Sequence, residues 1–368
     1  MIQRLERLQS LLQERNLDAL ALNPGPSLTY LSGVHFHLME RPVLLLVARG
    51  AEPLVILPEL ERPKVGLFPY PVQAVSYGED PSTWQEVFRR ALGSLGLEHA
   101  KIGVEGNRLR LLEYRFLQAA APQAQFVEAG EVIGALRRCK DAQEIACIRK
   151  AVEIAEKALE ATLPSIRVGM SERELAAELT VQLLRHGSDP ELPFAPIVAS
   201  GPNSANPHAT PGDRPLQPGD LLVIDWGATY QGYISDLTRT FAVGAVEAEL
   251  QHIAQIVAEA NSCGRQAARP GNACAEIDGA ARRVIEAAGY GAAFPHRTGH
   301  GIGLEAHEEP YLRGDNLRPL EIGMTFTVEP GIYLESRGGV RIEDNLVITA
   351  EGAETLSTLP RNLRVVAE

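Results

Sequence analysis

The chain has 368 residues, of which 45% are hydrophobic and 22% are charged, and it carries a net charge of −12 at pH 7. A chain of this length can bury a core without disulfide or metal staples, and at about 150 residues per domain it predicts two or three domains. The acidic balance argues against a nucleic-acid-binding protein, because such proteins need a basic surface.

The cysteines and the apolar runs indicate the cellular compartment of the protein. No two of the four cysteines have the C-x2-C spacing of a zinc or redox site, and so few cysteines are typical of reduced thiols. The N-terminal residues predict an amphipathic helix rather than a signal peptide. The apolar run Val43 to Ala48 is far shorter than the roughly 20 residues that cross a bilayer. We therefore expect a cytoplasmic protein without a membrane-spanning segment.

Residues 1–125 alternate helical and strand-like patterns, which predicts an α/β domain. Helices are predicted at about 2–16 and 82–95, and strand-like runs at 17–22, 43–48, 54–57 and 101–106. Residues 126–138 are typical of a linker. His35 and His37 alternate in VHFHLM and could form a metal pair, but such histidines more often lie on a surface or contact a partner.

Residues 139–368 contain one pattern twice. The capping boxes DAQE at 141–144 and SERE at 171–174 predict a helix over about 141–161 and a second that ends at Gly187. A similar helix pair follows 102 residues further on, at about 247–268 and between Gly271 and Gly289. Each pair precedes a predicted β-hairpin, at about 221–243 and 323–349, which indicates a pseudo-two-fold domain.

Both predicted hairpins carry a pair of acidic residues. A turn centred between Tyr230 and Gln231 would place Asp225 directly opposite Asp236, with Cβ atoms about 4.5–5.5 Å apart. Glu329 and Glu343 are roughly opposed across the second hairpin, where Pro330 indicates an edge or a bulge. Since facing like charges are destabilising unless a cation lies between them, these acids predict a divalent metal site.

A candidate imidazole ligand lies in the segment FPHRTGHGIGLEAHEEP, at 294–310. His300 is flanked by Gly299 and Gly301, which allow close approach of the backbone. A nucleotide-binding loop is the alternative interpretation of GHGIG. The strand-to-helix context and the downstream acidic residue of such loops are missing, so we favour a metal ligand.

These residues resemble a known family, the pita-bread dinuclear metallopeptidases, which include methionine aminopeptidase, aminopeptidase P and prolidase. The matching motifs, in chain order, are DWGATYQGYISDLTRT, HRTGHGIGLEAHEEP, TVEPGIY and GGVRIED. The N-terminal region is similar to that of creatinase and the Xaa-Pro-cleaving branch, with LTYLSG at 28–33 as a weaker match. The resemblance implies an α/β (α+β) chain: a mixed α/β creatinase-like domain at 1–125, a linker at 126–138 and a pseudo-two-fold pita-bread catalytic domain at 139–368.

The resemblance also implies two divalent metal ions, Mn²⁺ or Co²⁺, with Zn²⁺ and Fe²⁺ as alternatives. The ligands it implies are Asp225, Asp236, His300, Glu329 and Glu343. Of these, Asp236 and Glu343 would bridge the two ions. A hydroxide held between the ions would attack the peptide bond, and Glu329 would carry protons.

Four further side chains enter through the resemblance. His307 would lie near the scissile amide, and His208 near the leaving nitrogen or the oxyanion, although from the sequence alone either could be an ordinary loop residue. Arg341 shares a strand face with Glu343, so it is expected to pair with Asp236 or Glu343 or to contact the substrate. His296 is expected to contact the residues that hold the metal ions rather than the ions themselves.

One position departs from the family pattern. Dipeptide-cleaving relatives often carry a basic residue after HE-x-P to hold the substrate carboxylate, whereas here Tyr311 follows Pro310 and Arg313 is nearby. This leaves open whether dipeptides or longer peptides are preferred.

The function implied is that of an Xaa-Pro peptidase, either a proline dipeptidase or an aminopeptidase P. It would act as a homodimer on proline-containing peptides or dipeptides, without nucleic-acid or membrane partners. The alternatives are an aminopeptidase of the same fold with another specificity, and a non-catalytic binding module that retains the fold.

Overall fold

The computed structural model describes residues 1–367. The chain divides into two compact units, Met1–Arg137 and Arg138–Glu368. Within the described residues, none of the helices combines the length and the apolar character that a bilayer crossing requires.

The first unit is built around one six-stranded sheet. Its helices are α1 (Ile2–Glu14), α2 (Pro26–Ser32), α3 (Trp84–Ser94), α4 (Leu111–Ala120) and α5 (Gly130–Arg137). Its strands are β1 (Ala19–Leu22), β2 (Leu44–Ala48), β3 (Leu54–Pro58), β4 (Gln73–Tyr77), β5 (Lys101–Val104) and β6 (Gln125–Glu128). The strand order is β4-β3-β2-β1-β5-β6, with antiparallel pairing of β1 with β2 and of β2 with β3. The strands β1, β2 and β3 are buried throughout, which explains their unbroken apolar sequences.

Helices α3 and α4 pack against this sheet through one apolar cluster. The cluster joins Phe88, Leu92 and Leu117 to strand residues such as Leu46 and Ile56. Residues 126–138, which we expected to form a linker, contain most of β6 and all of α5. Val132, Ile133 and Leu136 of α5 are buried because they form an apolar stripe at helical spacing.

The second unit repeats a pair of helices. The pairs are α6 (Ala142–Thr162) with α7 (Glu172–Arg185), and α8 (Ala248–Ala267) with α9 (Cys274–Ala287). Both predicted capping boxes are present, at Asp141 with Glu144 and at Ser171 with Glu174. Two isolated bridges occupy equivalent places before α7 and α9, Ser171 with Pro215 and Ala273 with Pro319. The mixed α/β architecture with an internal repeat is as predicted.

The strands of the second unit form two sheets and two short ribbons. They are β7 (Ile197–Ser200), β8 (Leu221–Trp226), β9 (Thr229–Tyr230), β10 (Tyr233–Ile234), β11 (Leu237–Val243), β12 (Gly299–Gly301), β13 (Glu308–Leu312), β14 (Thr325–Val328), β15 (Gly331–Leu334), β16 (Gly338–Arg341), β17 (Asp344–Thr349), β18 (Gly352–Thr355) and β19 (Arg364–Val366). The sheet orders are β19-β11-β8-β7 and β13-β12-β14-β17-β18, and the ribbons are β9-β10 and β15-β16.

Each repeat ends in an interrupted hairpin. In the first hairpin (β8 to β11) the main ladder joins β8 to β11, and the ribbon β9-β10 forms the tip. In the second hairpin (β14 to β17) the main ladder joins β14 to β17, and the ribbon β15-β16 forms the tip. A bridge between Thr238 and Glu343 joins the two hairpins where their main ladders end. The interruptions therefore meet at one place in the unit.

Candidate metal centre

The first hairpin brings Asp225 and Asp236 together diagonally. Asp225 pairs with Thr238, so our expectation that it directly opposes Asp236 was wrong. The turn is the cause. Gln231 and Gly232 both have positive φ and form a two-residue loop, which moves the register by two residues from the one we assumed. Diagonal neighbours on one face remain within reach of each other, so both carboxylates still face the same space.

The second hairpin opposes its two acids directly. Val328 pairs with Asp344 on one side of the interruption, and Gly331 pairs with Arg341 on the other. The register continues unchanged between these pairs, which places Glu329 opposite Glu343. Pro330, which has no N–H to donate, lies at this break in the ladder.

Six side chains from the two hairpins and the strand β12 region form three overlapping donor groups. In each group, one ligand atom per residue lies within 4.8 Å of the others. The groups are Asp225 with Asp236 and Glu343, His300 with Glu329 and Glu343, and Asp236 with His300 and His307. Glu343, Asp236 and His300 each belong to two groups. The structure therefore brings together all five residues expected as ligands and adds His307 to them.

The buried carboxylates repel one another in the metal-free protein. Burial, followed by the charges of Glu343 and Asp225, holds the pKa of Asp236 well above its usual range. Burial and the charge of Glu329 do the same to the pKa of Glu343. Burial raises the pKa of Glu329 to about 7. Without a cation these groups favour their protonated forms, and a bound metal ion would replace the protons and stabilise the ionised carboxylates.

His300 has the protonation state that a metal ligand needs. Its Nδ1 lies 3.2 Å from the carbonyl oxygen of Gly301, which can only accept, so Nδ1 carries the proton and Nε2 has a free lone pair. Nε2 lies 3.3 Å from Oε1 of Glu329 and 3.8 Å from Oδ2 of Asp236. Burial, and next the neighbouring His307, holds the pKa of His300 well below its usual range. The imidazole is therefore neutral.

Arg341 holds one carboxylate directly and a second through a hydroxyl. One guanidinium nitrogen donates to Oδ2 of Asp225 at 2.6 Å, whereas we had expected Asp236 or Glu343 as its ionic partner. Nε donates to Oγ1 of Thr238 at 3.1 Å, and that hydroxyl donates to Oε2 of Glu343 at 2.7 Å. The shifted register explains the partner of Arg341. Thr238, rather than Asp236, lies across from Asp225, so Arg341 bonds to this facing pair. Arg341 thus orients the acids of both hairpins.

His296 supports Arg341 through a tyrosine. Its Nδ1 donates to the carbonyl oxygen of Arg297 at 2.8 Å, so its Nε2 accepts from the Tyr333 hydroxyl at 2.9 Å. The same hydroxyl accepts from Arg341 at 3.0 Å. Burial lowers the pKa of His296 to about 4, which keeps the ring neutral. His296 is therefore linked to Asp225 through Tyr333 and Arg341.

His307 and Tyr311 lie on the His300 side of the centre. The His307 ring is 3.9 Å from the His300 ring, centroid to centroid. Arg297 donates to Nδ1 of His307 at 3.3 Å, which leaves the ring proton on Nε2. The same guanidinium lies over the Tyr311 ring, with Cζ 4.6 Å from the ring centroid. Burial, and next Arg297, lowers the pKa of His307.

His208 is exposed on a loop whose two ends are held by one buried carboxylate. Glu172 accepts hydrogen bonds from Ser200 N at 2.7 Å, from Asn203 Nδ2 at 3.0 Å and from Gly212 N at 3.1 Å. Arg341 reaches this loop at the carbonyl oxygen of Pro207, 3.3 Å away. The loop is thus fixed beside the carboxylate cluster while the His208 side chain stays open to solvent.

The residues present fit a divalent metal site. Oδ1 of Asp225 is buried and has no hydrogen-bond partner among the described residues. A buried oxygen without a donor is costly, and a coordinated cation would satisfy it. Several carboxylates with one neutral imidazole suit divalent ions of intermediate hardness, such as manganese, cobalt, iron and zinc.

Comparison with known proteins identifies the family of the chain. The profile described as metallopeptidase family M24 matches residues 146–350, and that of the creatinase/prolidase N-terminal domain matches residues 4–139. The chain belongs to metallopeptidase family M24. It is therefore a metal-dependent peptidase, and the carboxylate and histidine clusters described above are where a divalent ion fits.

Similar proteins extend over the whole chain. A putative dipeptidase, YkvY, of Bacillus subtilis (strain 168) is 33% identical, covering 99% of each chain. An Xaa-Pro dipeptidase of Lactobacillus delbrueckii subsp. lactis is 32% identical, covering 98% of each chain. The crystal structure of a dipeptidase from Pyrococcus horikoshii OT3 has a TM-score of 0.93 and 37% identity, covering 99% of this chain and 100% of that one. Both units of the M24 chain thus have counterparts in these proteins.

Several residues around the site were not found by sequence reasoning. Arg297 and Tyr333 lie inside the motifs HRTGH and TVEPGIY, but their partners come from other segments. Thr238 follows Asp236 by two residues, and only the hairpin register shows that it faces Asp225. Glu172 is the first residue of helix α7, and nothing local indicates that its side chain is buried against a distant loop.

Proposed function

We propose that this M24 enzyme is an Xaa-Pro peptidase, which hydrolyses the bond between an N-terminal residue and a following proline. The observation that supports it most directly is the cluster of six donors in three overlapping groups. The proposal also draws on the relative named an Xaa-Pro dipeptidase, which matches the whole chain.

Two divalent ions, Mn²⁺ or Co²⁺, are proposed for the cluster, with Zn²⁺ and Fe²⁺ as alternatives. The proposed ligands are Asp225, Asp236, His300, Glu329 and Glu343. Asp236, His300 and Glu343 each belong to two donor groups, and of these the carboxylates Asp236 and Glu343, which have two oxygens each, are proposed as the ligands common to both ions. When bound, such ions supply Lewis acidity and lower the pKa of a coordinated water molecule.

The protein side chains supply proton transfer and orientation. We assign proton transfer to Glu329, whose carboxylate lies in the cluster 3.3 Å from Nε2 of His300. The proton on Nε2 of His307 is available to the substrate carbonyl oxygen. We assign His208 to the leaving nitrogen, which becomes basic as the bond breaks and, in proline, has no N–H of its own. Arg341 holds Asp225 in place through a hydrogen bond of 2.6 Å.

Metal reconstitution with a matched substrate series tests this function. The metal-free protein is loaded with Mn²⁺, Co²⁺, Zn²⁺ or Fe²⁺, and the metal content and the hydrolysis of Ala-Pro, Ala-Pro-Ala and Ala-Ala are measured. We expect close to two ions per chain and at least a hundredfold higher kcat/KM for a proline substrate than for Ala-Ala. Equal rates on Ala-Ala would favour an aminopeptidase of another specificity. Unchanged activity in chelator with no bound metal would disprove the metal centre.

We also infer that the enzyme acts as a homodimer. Leu38, Met39, Leu60 and Leu67 of the first unit expose apolar side chains. The two segments that carry them are neighbours, because Lys64 donates to the carbonyl oxygen of His35. Clustered exposed apolar side chains are typical of an interaction surface. Light scattering should give twice the chain mass, and Leu67→Glu with Met39→Glu should lower it to the monomer mass.

A further inference from the structure

Three of the four acidic residues of the cluster lie where a hairpin ladder is interrupted. Asp236 lies between β10 and β11, Glu329 directly follows β14, and Glu343 directly precedes β17, whereas Asp225 lies within β8. Backbone N–H and C=O groups at such interruptions have lost their ladder partners, and buried groups of this kind must be paired elsewhere. The side chains that supply the replacement partners therefore hold the backbone that carries the acids.

Asn345 replaces the missing ladder at Asp236. It is fully buried in β17 of the second hairpin, where its backbone pairs with Thr327. Its Oδ1 accepts from the N–H of Asp236 at 3.0 Å, and its Nδ2 donates to the carbonyl oxygen of Asp236 at 2.6 Å. Because a backbone N–H can only donate and a carbonyl oxygen can only accept, these two contacts define the orientation of the amide. One side chain of the second hairpin thus makes both backbone bonds of an acid in the first.

Asn261 has the same role within the second hairpin. It is fully buried on α8, and its Nδ2 donates to the carbonyl oxygens of Val328 at 3.0 Å and Ile342 at 3.3 Å. These two carbonyl groups belong to the peptide planes that immediately precede the two glutamates of the cluster. Nε of Arg265 donates to Oδ1 of Asn261 at 2.8 Å, which defines the orientation of this amide as well. Asn261 therefore links the two edges of the interruption from a helix outside the hairpin.

The position of the backbone matters because a metal site tolerates little error in its ligands. Ligand distances in such sites lie within about 0.2 Å of their ideal values. A leucine has nearly the volume of an asparagine but no polar atoms, so it would leave the paired backbone groups without partners. The backbone that carries the acids would then move to find new partners, and the spacing of the carboxylates would change.

We propose that Asn345 and Asn261 are positioning residues of the metal centre, whose amide groups set the spacing of the acidic ligands. This inference rests on the metal centre of the proposed function and adds two residues that act through the ligands. Asn345 holds Asp236, and Asn261 holds the peptide groups before Glu329 and Glu343. Loss of either asparagine should therefore weaken metal binding without removing a ligand.

The test is a cobalt titration of the metal-free, full-length protein. Wild type, Asn345→Leu, Asn261→Leu and the control Asn272→Leu are titrated with Co²⁺, and the affinity is measured by calorimetry. Asn272 is a suitable control because its Nδ2 also donates to a backbone carbonyl oxygen, that of Ala267 at 2.9 Å, at the end of α8. We expect Asn345→Leu and Asn261→Leu to bind Co²⁺ about 10- to 100-fold more weakly than wild type. Asn272→Leu should keep the wild-type affinity.

The visible absorption of bound Co²⁺ is the second measurement, because it depends on the geometry of the ligands. At saturating Co²⁺ the bands of Asn345→Leu and Asn261→Leu should differ from those of wild type, and the bands of Asn272→Leu should not. Melting temperatures of the metal-free proteins are measured first, and every titration is done well below the lowest of them. If a leucine variant does not fold, the corresponding serine variant, which adds no bulk, is titrated in its place.

The outcomes separate this inference from the proposed function. If wild type binds Co²⁺, and Asn345→Leu and Asn261→Leu match its affinity and its spectrum, the two asparagines only stabilise the fold and the proposed function stands. The same conclusion follows if Asn272→Leu loses as much affinity as they do. If wild type itself binds no Co²⁺ or other divalent ion, both the proposed metal centre and this inference are wrong.

Discussion

The two hairpins of the second unit carry equivalent acidic pairs in different geometry. In the first, a two-residue turn places Asp225 and Asp236 diagonally, and Asp225 has a permanent cation, Arg341, at 2.6 Å. In the second, Glu329 directly opposes Glu343, and the nearest basic group to Glu329 is the neutral imidazole of His300 at 3.3 Å. The repeat therefore supplies four carboxylates, and the differences between its copies decide how each one is balanced.

This difference separates two kinds of support for the site. Arg341 neutralises charge whether or not metal is present, because a guanidinium stays protonated at any physiological pH. His300 can act only as a neutral donor, and Arg341 reaches Glu343 only through the Thr238 hydroxyl, so the acids of the second hairpin are offset less directly than Asp225. Mutations on the two sides should therefore affect metal affinity, turnover and stability in different proportions.

The largest effect is expected where the two hairpins share a ligand. Asp236→Asn should lower kcat/KM by more than about 10³-fold, because an amide binds divalent ions far more weakly than a carboxylate. Metal content by elemental analysis should fall with the activity. The metal-free variant should be at least as stable as wild type, since one of several repelling charges is gone.

Glu335→Gln is the matched control for this substitution. Glu335 is exposed at the tip of the second hairpin, so its loss of charge should leave turnover and metal content unchanged. An Asp236→Asn enzyme with full metal content and wild-type turnover would exclude Asp236 as a ligand.

A substitution of His208 tests the loop that Arg341 contacts at the carbonyl oxygen of Pro207. His208→Ala should lower kcat and kcat/KM together, by about 10²–10⁴-fold, if His208 stabilises the leaving nitrogen. The bound metal should remain, because His208 is not in any of the three donor groups. His252→Ala, an exposed histidine on α8, is the control. Unchanged turnover would make His208 an ordinary loop residue, and loss of metal would make it a ligand or a direct support of one.

Removing Arg341 should leave the acids of the first hairpin, like those of the second, without a directly paired arginine. Arg341→Met leaves Asp225 buried without its cation, and we expect a loss of about 10- to 100-fold in metal affinity or in kcat/KM. Arg337→Met is the control. It removes an exposed arginine from the second hairpin, which also carries Arg341. Arg337 pairs with Glu247 and Glu249, and its loss should have little effect on metal affinity or kcat/KM. Equal behaviour of the two variants in metal titration and kinetics would show that Arg341 is not needed to organise the site.

The smallest effect is a change of stability with pH in the metal-free protein. The folded-state pKa of Asp236 is raised, so its protonated form stabilises the fold at low pH, and this contribution is lost as the pH rises through that raised value. Asparagine cannot titrate. The melting temperature of wild type relative to Asp236→Asn should therefore fall as the pH rises above the ordinary Asp pKa of about 4, by roughly 2–4 °C per kcal/mol of lost stability.

Calorimetry at several pH values measures this difference, and histidine titration cancels because both proteins contain the same histidines. Saturating metal should reverse the trend, since deprotonated carboxylates bind the cation and metal uptake releases their protons. A difference that is constant with pH, or that grows in favour of wild type, would contradict the raised pKa of Asp236.

Local sequence predicted those features that depend on near neighbours in the chain. The capping boxes at Asp141 and Ser171 start helices as expected, because their hydrogen bonds join residues only three apart. The apolar runs in β2 and β3 indicate buried strands for the same reason. Helix α5 was not predicted from the sequence. Its short apolar stripe does not distinguish a buried helix from a loop unless the surface that covers it is known.

The acidic pairs and His300 were found from the sequence because hairpin spacing and glycine-flanked motifs are local signals. The ionic partner of Arg341, the burial of Glu172 and the contact of Arg297 with the Tyr311 ring were decided only by the tertiary structure. Each of these contacts joins segments that are distant in sequence, and the first depends on a hairpin register that shifts with a single turn. Which acids the site contains is therefore encoded locally, whereas how their charges are balanced depends on how strands and loops pack.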